Sequence, residues 1–269
     1  MAQTQRDLTA AGRAAQALAR SGLAVVRVPD DLPLLAESGF PEAETVGLGP
    51  LVKLGLVRPV ARGLFEVRDP TGVARSSFEL LLAARFADTP HLATGWWALA
   101  HAGLTNQDVR EVVVLSATKR RDLTISGRHV RVAKVEPQEL WGGETRESGL
   151  VVARPERAFC DCAGRRPTRI PATRIADALD TFLRSSPTAV QRLVRAVKRF
   201  SSPAVARRLG YLVELVAGEE PASAFQPLLG ASHKADALDP GDDDSPIVTR
   251  WRVRTQLAPA ELLEHRRVS

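Results

Sequence analysis

The chain has 269 residues, 44% of them hydrophobic and 25% charged, an ordinary globular balance that allows a sizeable core and, at this length, a small domain beside a larger one. No apolar run reaches the roughly 18 residues that span a bilayer, and no basic start with an apolar signal core opens the chain, so a cytoplasmic protein is expected. A net charge of +6 and a pI near 10.0 favour an acidic partner such as nucleic acid, although an arginine- and alanine-rich coding bias would raise the charge with no partner at all.

In chain order, Leu8 to Arg20 reads as a first helix, with Thr9 as its N-cap and Gly22 beyond its end. The short β-branched run Leu23 to Val28 leads into a second helix, Asp30 to Ser38, closed by Gly39. A third helix is expected between Glu42 and Leu54. Two β-runs follow, Leu56 to Val60 and Leu64 to Val67, joined by a tight turn at Ala61-Arg-Gly63. A helix followed directly by such a ribbon makes a winged helix-turn-helix over residues 1–70, with Arg62 at the wing tip and Arg58 on the strand before it. Thr45 and Lys53 are its candidate groove contacts. The third helix is poor in such residues, since it carries Gly47, Gly49 and Pro50 and offers Lys53 against Glu42 and Glu44. A winged helix kept for protein contacts is the competing expectation.

The turn Asp69-Pro-Thr-Gly72 is the expected boundary, leaving 71–269 as a larger mixed domain of a small sheet plus helices, in an α+β fold. Ser77 to Arg85 and His91 to Ala102 read as helices, the second holding Trp96 and Trp97 as core residues. Arg110 to Leu115, Asp122 to Ile125 and His129 to Val132 read as strands. Lys119, Arg120 and Arg121, between the first two, form a basic turn that either approaches phosphates or keeps a sheet edge soluble.

From Arg154 to Gly218 the chain is a succession of helices, each opened by Pro155, Pro171, Pro187 or Pro203. Proline suits a first helical position because its φ is already helical and its missing N–H would have had no partner there. In the third of these helices Val190, Leu193, Val194 and Val197 turn inward. Arg192, Arg195 and Arg199 then share the outer face with Lys198 beside them, a second basic surface directed at DNA or at an acidic protein patch. Asp239 to Asp244 is an acidic turn without the ligand alternation of a calcium loop. Ile247 to Gln256 reads as one strand, with Arg250, Arg252 and Arg254 on its solvent face and Trp251 and Val253 inward, and a last helix is expected over Ala258 to His265.

Catalytic spacing is missing: there is no phosphate loop, nucleophile elbow or His-Glu-x-x-His helix, and Lys134 and Glu136 run the wrong way for a metal-dependent nuclease. The expectation is a non-enzyme with no metal and no cofactor. Cys160 and Cys162, two apart on a helix, point about 200° away from each other and read as small buried apolar groups.

Two phrases, Arg154-Pro-Glu-Arg-Ala-Phe-Cys-Asp-Cys162 and Arg207-Arg-Leu-Gly-Tyr-Leu-Val-Glu214, resemble in this order those of AbiEi-type antitoxins, the regulator half of bacterial type IV toxin–antitoxin pairs. Leu238-Asp-Pro240, Arg250-Trp-Arg-Val-Arg254 and the winged-helix-like opening extend the resemblance over most of the chain. It implies a protein that binds duplex DNA at its own promoter, represses that operon and opposes a nucleotidyltransferase-like toxin encoded next to it. The alternative expectation is a winged-helix transcription factor whose C-terminal domain senses a ligand or a protein.

Overall fold

The structure is a computed structural model and describes residues 2–164 and 167–262. The chain forms two compact units. The first takes in residues up to Thr89 together with 123–127 and 146–150, and the second takes in 90–122, 128–145 and the chain from Val151 onward.

The first unit begins with α1 (Ala2–Ser21), β1 (Val25–Arg27) and α2 (Leu32–Glu37). The first helix starts earlier than its sequence suggests, so Thr9 lies inside it rather than at its cap. Two short helices, α3 (Ala43–Val46) and α4 (Gly49–Lys53), precede the ribbon of β2 (Val57–Ala61) and β3 (Leu64–Val67). The sheet order is β1-β3-β2, with both pairings antiparallel. This succession of helix, strand, helices and strand–wing–strand is the winged-helix arrangement. Ala14, Ala17 and Leu18 of α1 stand at helical spacing and close a core with Val26, Leu35, Phe40, Leu51 and Val67. The expected single third helix is broken, because Gly47 takes φ +65° and Pro50 has no N–H to donate back to Val46.

The turn at Asp69 is built by its carboxylate, whose Oδ1 accepts from Thr71 N at 2.8 Å, Thr71 Oγ1 at 2.6 Å and Val73 N at 2.9 Å. Beyond it comes α5 (Phe78–Phe86), capped by the Ser77 hydroxyl, which accepts from Leu80 N at 3.2 Å. It buries Leu81, Leu82 and Phe86, and the first unit continues to its end.

The second unit opens with β4 (His91–Thr94), α6 (Trp96–His101) and β5 (Glu111–Ser116). The helix expected from His91 to Ala102 is therefore half strand. Gly95, at φ +73°, separates the two halves, and all four residues of β4 are buried because the strand lies inside the sheet. Trp96 and Trp97 are both buried. The short strand β6 (Leu123–Ile125) groups with the first unit. Then come β7 (Arg128–Lys134), β8 (Gly143–Thr145) and β9 (Val151–Ala153). Within this unit the strand order is β7-β5-β4-β9-β8. The β5–β7 and β4–β9 pairs are parallel, and β4–β5 and β8–β9 are antiparallel.

The helical region follows as α7 (Pro155–Gly164), α8 (Ala172–Arg184), α9 (Ala189–Phe200) and α10 (Pro203–Ala217). Ser202 caps α10, its hydroxyl accepting from Val205 N at 3.4 Å, and Gly218 ends it. The short helix α11 (Glu219–Ala222) and the strands β10 (Asp236–Ala237), β11 (Ile247–Val248) and β12 (Val253–Arg254) come next. The continuous strand expected over Ile247 to Gln256 is instead a tight hairpin, since Arg252 adopts φ +53° and the chain reverses between β11 and β12. The last described element is α12 (Pro259–Leu262), and the rest of the expected closing helix lies outside the described residues.

The two phrases that carry the family resemblance are internal clamps. Arg157 and Asp161, 1% and 0% exposed, form a bidentate pair, with Nε to Oδ2 at 2.9 Å and Nη2 to Oδ1 at 3.1 Å. The Thr94 hydroxyl donates to the same carboxylate at 2.6 Å, and Arg157 Nη1 donates to the Glu139 carbonyl at 2.7 Å. Helix α7, strand β4 and the segment before β8 are thereby tied at one point. In the second phrase Arg207 donates to the carbonyls of Lys234, Leu229 and Ser232 and to Asp236, all within 2.9 Å. Arg208 donates to the carbonyls of Ala237 and Ala163, each at 2.8 Å. Burial, followed by the neighbouring Arg169, lowers Arg208 to about 10, which leaves it charged at neutral pH.

Candidate nucleic-acid interface

The wing is set by the chain reversal at Ala61-Arg62-Gly63. Gly63 holds φ +72°, and a Cβ there would stand 2.9 Å from the Val28 carbonyl oxygen, so the close approach of β1 requires glycine. Arg62 is exposed at the tip and has no carboxylate partner among the described residues. Arg58 is engaged, since its Nη2 lies 3.0 Å from Glu66 Oε2, and Arg68 approaches the same buried carboxylate at 3.4 Å. Glu66 is 2% exposed, so Arg58 balances a buried charge within the ribbon.

Thr45 and Lys53 are both exposed, on α3 and α4. The Thr45 hydroxyl donates back to the Glu42 carbonyl at 3.1 Å, and Glu42 is held below the usual carboxylate range by its own backbone hydrogen bond and by Arg13. Around them Val46, Val52 and Leu54 are exposed at 56%, 40% and 47%, and Leu34 of α2 at 41%. The exposed positions of α3 and α4 thus mix these apolar residues with Glu44, Thr45 and Lys53, which leaves few donors for base edges.

In the second unit the turn after β5 presents Lys119 and Arg121 exposed and Arg120 half-buried. On α9 the buried side is Ala189, Leu193, Ala196 and Val197, while Val190 and Val194 are half-buried rather than fully inside. The four cations of this helix are not equivalent. Arg192 lies 3.1 Å from Glu156 of α7 and over the Phe182 ring, so it is compensated from a neighbouring helix, which spacing along α9 does not reveal. Arg199 lies over the Trp141 ring at 4.7 Å, and Arg195 and Lys198 are exposed with no carboxylate partner among the described residues.

Arg250, Arg252 and Arg254 do not share a free face. Arg250 is ion-paired with both Glu214 and Glu219, the first at 3.2 Å. Arg252 Nη1 donates to the carbonyls of Gly230 and Ser232 at 2.9 and 2.6 Å, and Arg254 Nη1 donates to the Ser245 carbonyl at 3.0 Å. Trp251 and Val253 are fully buried, so the inward half of the expected alternation appears although the strand does not. These arginines fasten the hairpin to the helices.

Sequence reasoning passed over Trp141 and Arg154, which the fold brings beside the arginines of α9. Arg154 stood within a recognised phrase, but Trp141 lies some fifty positions from α9 and no periodicity links them. Among the described residues no three His, Cys, Asp or Glu side chains converge to hold a metal ion, and no helix is long and apolar enough to cross a membrane.

No family model matches the chain, and no curated protein matches it. Among solved structures it is similar to the crystal structure of the RV2827C protein from Mycobacterium tuberculosis, with a TM-score of 0.70 at 20% sequence identity over 96% of this chain and 94% of that one. The chain is thus an α+β protein that opens with a winged helix and shares the fold of that mycobacterial protein.

Proposed function

We propose that the chain is a DNA-binding antitoxin that represses its own operon and counteracts a nucleotidyltransferase-like toxin. The observation that carries the reading is the winged helix with Arg62 unpaired at its tip, in a chain of net charge +6. The two clamp phrases support the antitoxin half through their resemblance to AbiEi-type proteins. With few donors on α3 and α4, affinity in this reading comes from phosphate contacts of the wing and of Lys53 at the end of α4 more than from base contacts. The test has two arms. The purified chain should shift a duplex covering the region upstream of its gene, and co-expression should restore growth to cells producing the neighbouring gene product. Failure of both arms overturns the reading.

The exposed Leu34, Val46, Val52 and Leu54 favour a second reading, in which the winged helix contacts protein. In that case no salt-dependent DNA binding is seen, and Val52→Glu disrupts a protein complex instead.

A further inference from the structure

The second unit contains a cavity of about 510 Å³ between the N-terminus of α7 and the outer face of α9, and its walls carry a surplus of positive charge. Arg154 and Pro155 form one side, Arg195 and Arg199 the other, with Trp141 between them. Two carboxylates also line it. Glu156 is balanced by Arg192, and Glu144 has an interaction of its own. Arg154, Arg195 and Arg199 have no carboxylate partner among the described residues, so three guanidinium groups face one space with their charge uncompensated. Arg192 lines the same space but is ion-paired with Glu156 at 3.1 Å, so it is not counted among the uncompensated groups.

The local fold holds this charge in place. Gly142 sits at φ +74°, and a Cβ there would come 3.0 Å from Cβ of Arg157, so Trp141 packs beside α7 only because position 142 lacks a side chain. The Arg157 guanidinium, fixed by Asp161, lies over the Trp141 ring at 4.5 Å and holds that wall. Helix α7, ten residues long, turns the positive end of its dipole toward the same space, although Pro155 has no N–H and the N–H groups of Arg157 and Ala158 are taken by the Arg154 carbonyl.

From this arrangement we propose that the pocket binds the phosphate groups of a small di- or triphosphate. The volume lies within the range of about 300–1,000 Å³ typical of small-ligand sites. Arg195 and Arg199 stand about one helical turn apart on α9, about 6 Å of rise, with Arg154 on the other side of the space, which suits linked phosphates better than a single one. Guanidinium forks pair with phosphate oxygens through two parallel hydrogen bonds, and their geometric demand gives specificity that a general basic surface lacks. The site is independent of whether the first unit binds DNA.

The test uses the full chain and inorganic triphosphate, pyrophosphate and sulfate as probes, titrated by calorimetry at fixed ionic strength. Triphosphate should bind at a single saturable site at least about tenfold more tightly than sulfate, a difference of about 1.4 kcal/mol. Arg195→Ala and Arg154→Ala should each weaken it by about tenfold or more, and both residues are exposed, so the fold should tolerate the changes. Arg62→Ala should leave it unchanged. Binding should also alter tryptophan fluorescence, and Trp141→Phe should remove that change, because the other three tryptophans are buried elsewhere. Equal affinity for sulfate, unchanged binding in Arg195→Ala, or occupation of the pocket by duplex DNA and not by triphosphate would each overturn the proposal.

Discussion

Asp161→Ala removes the acceptor at the centre of the α7 clamp. Two charge-assisted hydrogen bonds from Arg157, at 2.9 and 3.1 Å, and one from Thr94, at 2.6 Å, end on a carboxylate with no exposed surface. Without it, Arg157 keeps only the carbonyls of Glu139 and Trp141 and remains a buried, uncompensated cation. Breaking such a pair from one side costs about 3–5 kcal/mol, because the remaining charge has lost its hydration and gains no substitute. For a protein of this size each kcal/mol lowers Tm by about 2–4 °C, which places the expected drop at about 6–20 °C. Urea unfolding followed by circular dichroism, with Arg157→Met and the double variant completing a cycle, isolates the pair. The double variant should lose clearly less stability than the two single losses added together. A loss below about 1 kcal/mol in Asp161→Ala would refute the reasoning, since only a hydrated pair is worth so little.

Other expected outcomes follow from the same packing. A Cβ at Gly210 would stand 2.2 Å from the buried Trp251 ring, so Gly210→Ala should cost at least about 1–3 kcal/mol by overpacking, outweighing the gain of up to about 1 kcal/mol in helix propensity. Thermal unfolding checks this, and a stabilised variant would contradict it. Arg207→Lys should cost at least about 2 kcal/mol by chemical denaturation, because an ammonium group cannot reproduce the fork that reaches four acceptors. Burial, followed by the adjacent Asp161, pushes the thiols of Cys160 and Cys162 well above their usual range. The native state therefore holds protons that the unfolded state gives up above about pH 8.5, so these groups lower stability as pH rises past that value. Ellman's reagent at pH 8 should label neither thiol until denaturant is added, and rapid native labelling would contradict the burial.

How far the fold was legible depended on whether its signals were local. Prolines 155 and 203 marked helix starts and Gly218 marked an end, because φ and the missing N–H are properties of single residues. The wing was legible for a similar reason, as only Gly63 suits the reversal. Strands β8 and β9, three residues each, are too short for any period to register, and β4 carries no strand signal of its own because four buried residues fit either state. The hairpin at Arg252 was hidden by an uncommon positive φ at a non-glycine residue. The basic candidates were legible as charges and not as free charges. Arg58, Arg192 and Arg250 find carboxylates on other elements, and Arg252 and Arg254 find carbonyls, all set by tertiary contacts. Composition had suggested a basic surface, and the fold uses part of that charge as internal fastening.

DNA binding through the wing is tested by the affinity of the full chain for its upstream duplex across a series of salt concentrations, compared between the natural sequence and Arg62→Ala. Log affinity should fall linearly with log salt, and Arg62→Ala should weaken binding similarly on all sequences and make the slope shallower by about one unit, as loss of one phosphate contact and its counterion requires. An affinity independent of salt, or an Arg62→Ala variant that binds with unchanged strength and slope, would contradict it.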